Sequence, residues 1–138
     1  MNLVLSILFS LIQVAPAKNL PQVKIKGTTF QVEVARSESE WQKGLMFREH
    51  LAPNEGMLFF GNTERPQAFW MKNTLVSLDI IFISRNKKIV SIAKNTKPLS
   101  EEPLPSAAPA QYVLEILAGQ ATAHQLKAGD PVEFVRIP

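Results

Sequence analysis

Val23 and Ile25 alternate with Gln22, Lys24 and Lys26, and beyond Gly27 and Thr28 the alternation resumes with Phe30, Val32 and Val34 against Gln31 and Glu33. A period of two on both sides of a glycine-bearing turn predicts an amphipathic β-hairpin. Ser37-Glu38-Ser39-Glu40 then has the S-x-x-E form of a capping box, in which the serine hydroxyl and the glutamate carboxylate satisfy free backbone N–H groups at a helix start. A short helix to about Phe47 is expected, with Trp41, Leu45 and Met46 on its buried side. Gly44 weakens that helix by about 1 kcal/mol relative to alanine and points to a close backbone approach.

Pro53 and Gly56 bracket a turn, and "MLFF" follows as a short buried strand. "GNTERPQ" reads as polar loop, "AFWM" as strand and "KNTLVS" as a connection. "LDIIFIS" is apolar throughout except for Asp79 near its start, the pattern of a strand buried on both faces in the middle of a sheet or barrel. A charged turn, Arg85 to Lys88, leads into a return strand ending at Ala93. Thr96 to Ala110 carries four prolines and no period, hence an irregular connection of a length that is often functional. "QYVLEIL" is a strand, Gly119 to Leu126 a small helix closed by Gly129 at a C′ position, and "PVEFVRI" the last strand. About seven short strands and two short helices predict an α+β fold: one compact domain with a strongly bent or barrel-like, mostly antiparallel sheet.

The 138 residues, 46% of them hydrophobic, suffice for one core and not for two. The apolar run Leu3 to Val14 followed by Ala15-Pro16-Ala17 has the form of a secretory signal, whose apolar part typically runs about 7–15 residues, although only the terminal amine supplies its positive end. It is shorter than the roughly 20 residues of a spanning helix. Residues 1–17 are therefore read as a signal peptide and 18–138 as the domain, with an exported, periplasmic or secreted product and no stable membrane insertion after cleavage. The chain has no cysteine, which excludes disulfides, thiol nucleophiles and thiolate metal sites. Fifteen Lys and Arg against 12 Asp and Glu are scattered along the chain, a solvated surface rather than a phosphate track, so nucleic acid is not an expected partner.

The puzzling stretch is "FWMKNTLVSLDI", which sets Lys72, Asn73 and Asp79 among apolar groups, since a buried ion needs a partner, a route to water or a ligand. If Trp70 faces the core, alternation turns Lys72 the same way, and the connection can fold Asp79 back to meet it; Arg48 is another available cation. Such a pair, or a carboxylate bonded to backbone N–H groups, is the purely structural account. The functional one is a polar centre at the mouth of a pocket lined by Met57, Trp70 and Met71, with polar contacts from Arg48, Lys72, Asn73 and Asp79. Its cationic rim suits a small anionic ligand or a peptide terminus. Glu115 lies mid-strand and could act as an acid or base only beside a second titratable group, for which Asp79 is the best candidate. His50 and His124 stand in separate elements without metal-ligand spacing, and no P-loop, nucleophile elbow or dinucleotide fingerprint occurs, so no metal or cofactor is implied.

"GLMFREHLAPNEGMLFF", "FWMKNTLVSLDIIFIS" and "YVLEILAGQATAHQLKAGDPVEF" together resemble the signature blocks of the family called domain of unknown function 192, over about Val23 to Phe134. The resemblance implies a small β-rich domain, often exported, of no assigned activity. This chain departs from it after Thr96, where many relatives carry a segment with cysteine and tyrosine. The function expected is a non-enzymatic binding domain for a small anionic ligand or peptide. The alternatives are a hydrolase using Asp79 or Glu115 with Lys72, and a module that docks a protein partner by an edge strand or by the Thr96 to Ala110 connection.

Overall fold

The structure is a computed structural model and describes residues 19–138; the segment read as a signal peptide lies outside the described residues. In chain order the elements are β1 (Gln22–Ile25), β2 (Thr28–Ala35), α1 (Glu38–Lys43), β3 (Glu55–Arg65), β4 (Ala68–Phe69), β5 (Leu78–Ile83), β6 (Ile89–Ala93), β7 (Leu104–Pro105), β8 (Ala110–Leu117), α2 (Gln120–Ala123) and β9 (Glu133–Val135). Seven strands form one sheet in the order β6-β5-β8-β3-β2-β1-β9. Its neighbours are antiparallel except β2 and β3, whose parallel pairing follows from the α1 crossover between them. The sheet curls into a half-barrel, and its ends approach where Lys88 bridges Pro131: Ile89 N–H donates to Asp130 O at 3.0 Å and Val132 N–H to Lys87 O at 2.8 Å. No helix among the described residues is long and apolar enough to cross a membrane.

Every residue of β5 is buried, as its unbroken apolar pattern requires of a strand covered on both faces. Alternation then divides the core. One face carries Leu58, Ile81, Leu114 and Ile116 beneath Ala121 and Leu126 of the α2 segment. The other carries Met57, Phe59, Ile80, Phe82 and Val113 beneath the α1 segment. Asp79 stands opposite Ile116, and Glu115 stands opposite Met57 and Ile80. The two carboxylates therefore lie on opposite faces of the sheet.

The capping box forms as expected. Ser37 Oγ accepts from Glu40 N–H at 3.2 Å, and the Ser37 N–H donates to Glu40 Oε1 at 2.9 Å, a bond that holds the Glu40 carboxyl below its usual range. Other boundaries move. Helix α1 stops at Lys43, not Phe47, because Gly44 turns the chain with φ 46°. The chain after Phe60 continues β3 to Arg65 across a register shift instead of looping. "AFWM" yields only β4, which pairs with β7 inside the connection expected to be irregular. Helix α2 ends at Ala123, and Gly129 is no helix cap: its N–H donates to Ile89 O at 2.7 Å, where the ends of the sheet meet.

Candidate functional site

Three loops converge over the face that carries Glu115. Phe47 N–H donates to Asn73 O at 2.8 Å, Met71 N–H to Ser100 O at 2.9 Å, and Leu99 N–H to Thr74 O at 3.0 Å. Phe47, Asn73 and Leu99 all have left-handed backbones, with φ of 65°, 53° and 67°. That conformation costs a non-glycine residue about 1–2 kcal/mol, least for asparagine. Phe47 and Leu99 nevertheless leave 66% and 58% of their surface in water, beside the half-exposed Trp70 and Leu75. Strain of this kind clusters where a surface is used.

Between these loops and the sheet lies a concave cavity of about 810 Å³. Trp41, Phe59 and Phe69 form a continuous aromatic wall, meeting edge to face with centroids 5.0–6.0 Å apart. Such contacts contribute roughly 0.5–1.5 kcal/mol each beyond burial and make the wall rigid. Lys43, Arg65 and Lys72 line the cavity, together with the exposed carboxylate of Glu38. Lys72 Nζ lies 5.1 Å from the centre of the Trp70 ring and 3.8 Å from Glu101, while Lys43 and Arg65 have no anionic partner among the described residues.

Glu115 occupies the floor and is 4% exposed. Its neighbours across the strands are Met57 and Ile80, and a side chain added at Gly44 would meet the Phe59 ring at 3.2 Å and lie 3.9 Å from Glu115 Oε2. Burial alone pushes its carboxyl up to about 8, so the side chain is predominantly uncharged at neutral pH. No polar side-chain atom sealed among the described residues lacks a hydrogen-bond partner, so the partnerless carboxyl of Glu115 is one that the cavity reaches.

Four residues expected at the site, Trp70, Lys72, Asn73 and Glu115, line the cavity. Four do not. Arg48 makes a two-pronged pair with Glu33, with Nη2 3.1 Å from Oε1 and Nη1 on Oε2. Met57 and Met71 are core, the latter accepting a hydrogen bond from Thr96 Oγ1 at 3.2 Å. Asp79 does not meet Lys72: fully buried on the other face, its Oδ1 accepts from Asn95 N–H at 2.9 Å and its Oδ2 from Ala121 N–H at 2.8 Å, which anchors the first turn of α2. The supposed alternation fails because β4 ends at Phe69, so Trp70 turns outward and Met71 inward. Lys43, Arg65 and the Trp41 wall were not foreseen as site residues, and the one signal for them was Gly44, whose missing side chain marks the opening above Glu115.

An α+β half-barrel with an aromatic-walled cavity lined by cations is thus the class of protein defined by this geometry. The chain belongs to the family described as uncharacterized ACR, domain of unknown function 192, which matches residues 21–134. It is similar to a protein of unknown function from Novosphingobium aromaticivorans DSM 12444, at 42% identity and a TM-score of 0.77 over 88% of this chain and 91% of that one. It is also similar to a Sinorhizobium meliloti 1021 protein named as a candidate transcription regulator, at 35% identity and a TM-score of 0.79 over 89% of this chain and all of the other. No curated protein matches the chain.

Proposed function

We propose that this protein is a non-enzymatic binding domain whose cavity takes a small ligand with an aromatic or apolar body and an anionic group. The observation that carries the reading is the set of cations on a cavity with an aromatic wall: Lys43 and Arg65 line it without ion-pair partners, Lys72 keeps only a long, exposed contact to Glu101, and Glu38 is the one exposed carboxylate among them. Charges beside an aromatic wall attract an anion more strongly than the same charges on open surface. A hydrolase that pairs Asp79 with Glu115 is not compatible with carboxylates on opposite faces of a sheet, and the other carboxyl lining the cavity, Glu38, is exposed on α1 rather than buried with Glu115. The N-terminal apolar segment supports the reading of an exported product.

The test is calorimetric titration with para-isopropylbenzoate and its neutral amide. The benzoate is expected to bind about tenfold or more tightly than the amide, and Arg65→Gln with Lys43→Gln to erase the difference. Equal binding of the two, or preference for the amide, refutes an anion-selecting rim.

A further inference from the structure

We propose that the ligand also presents an uncharged hydrogen-bond acceptor, a carbonyl or comparable oxygen, to the carboxyl of Glu115 at the deep end of the cavity, while its anionic group stays at the rim. This inference rests on the cavity being an anion-binding site and adds what the floor selects.

Three features of the cavity support it. First, a side chain so deeply buried ordinarily has its polar atoms bonded to the protein. Glu115 instead has no hydrogen-bond or ion-pair partner among the described residues and borders the cavity. Second, the space above it is kept open. Gly44 stands at the end of α1 with φ 46°, and any side chain there would press on Phe59 and fill the approach to Glu115 Oε2. Third, the floor carries no compensating charge. From β3 it is faced by Met57 and Phe59, from β5 by Ile80, and from the loop after α1 by the backbone of Gly44; Glu38, Lys43, Arg65 and Lys72 are the charged groups that share the cavity.

A neutral carboxyl is a donor with one remaining acceptor, and it meets a carbonyl oxygen well. A ligand ammonium would have to pass a cationic rim to reach a group that carries no charge. With Glu115 titrating at about 8, burial being the cause, the donor is present below that pH and lost above it. At about pH 6.5 the protonated form outweighs the ionised one roughly thirtyfold, and at about pH 9.5 the ratio is reversed.

Para-acetylbenzoate and para-isopropylbenzoate have nearly the same shape and the same anionic head, and only the first carries a carbonyl at the far end. Both are titrated into the wild-type protein and into Glu115→Gln at the two pH values, with folding checked by the amide NMR spectrum. The acetyl compound is expected to bind wild type about tenfold more tightly at pH 6.5, with the advantage gone at pH 9.5. Glu115→Gln, whose amide donates at either pH, is expected to keep the advantage at both. The isopropyl compound serves as the reference for any pH effect of the rim lysines. Equal affinities for the two benzoates at both pH values overturn the acceptor inference and leave the anionic rim standing. Failure of both to bind at pH 6.5 overturns both. Tighter binding of para-(aminomethyl)benzoate as pH rises overturns the inference in favour of an ionised Glu115 that pairs with a cation.

Discussion

Replacing Glu115 by glutamine should stabilise the domain, by an amount that depends on pH in a way only a buried carboxyl can produce. The carboxyl titrates near its ordinary 4.5 when unfolded and at about 8 when folded, because burial disfavours the ion. Between those values the unfolded chain gives up a proton that the folded chain retains. The folded state therefore binds more protons, and stability falls as pH rises, by about 1.4 kcal/mol per pH unit. The accumulated cost is near zero below pH 4.5, about 3 kcal/mol at pH 7 and about 5 kcal/mol once pH passes 8, beyond which it levels off. Glutamine keeps the size and polarity of the neutral acid and has nothing to titrate. Urea unfolding of both proteins from pH 4 to pH 9 should give curves that coincide at the acid end and diverge steadily to about pH 8. Other groups shift both curves together, the capping carboxyl of Glu40 among them, so the difference isolates position 115. Parallel curves across the range would mean that Glu115 stays ionised in the fold, and the account of the cavity floor would be wrong.

Asp79→Ala should cost about 2–4 kcal/mol in unfolding free energy, since it strands the buried Ala121 N–H and the part-buried Asn95 N–H; Lys72→Met should cost less than about 0.5, and the double mutant should be their sum within about 0.5 kcal/mol. Recovery of stability in the double mutant would show that the two ions meet after all. Phe47→Asn should raise stability by roughly 0.5–1 kcal/mol, because asparagine tolerates the left-handed backbone, while weakening benzoate binding in the same titration; a stability loss would mean the exposed ring packs on something. Gly61→Ala should unfold the protein or cost more than about 3 kcal/mol, as its new methyl group would overlap the carbonyl oxygen of Gln111 on β8, and a soluble variant of normal thermal midpoint would contradict that packing.

The parts of the fold legible from sequence are those set by local rules. The alternation of Val23, Ile25, Phe30, Val32 and Val34 became β1 and β2, the S-x-x-E stretch became a two-way capping box, and the unbroken apolar run at Leu78–Ile83 became the fully buried β5. The failures are tertiary. No local rule brings β4 to β7 across the proline-rich connection, or carries β3 past the irregularity after Phe60 to Arg65, which pairs with Ala110 of β8. The site suffered in the same way. Lys72 and Asp79 looked like partners because the connection between them could fold Asp79 back, yet strand alternation put Asp79 on the α2 side while Lys72 sat on a loop over the other. Glu115 was visible as a lone carboxylate on a strand, but whether that strand face held solvent, a salt bridge or an apolar floor depended on α1 folding across it. Lys43 and Arg65, far apart in the chain, come to the same cavity only through that crossover.

The meeting of Lys88 with Pro131 has a meaning for the life of this protein outside its fold. An open seven-stranded sheet would offer two rows of unpaired amides, the template on which other chains add strands and fibrils grow. Here one border is stitched to residues 129–132, the Ser91 hydroxyl on the same strand accepts a bond from Ala107 N–H at 3.0 Å, and the other border, β9, is only three residues long. Stitching and shortening both borders in this way leaves few free strand amides for another chain to pair with. A congener in which Pro131 and Val132 were cut away should lose that protection first, gaining thioflavin-positive aggregates well before it loses its secondary structure.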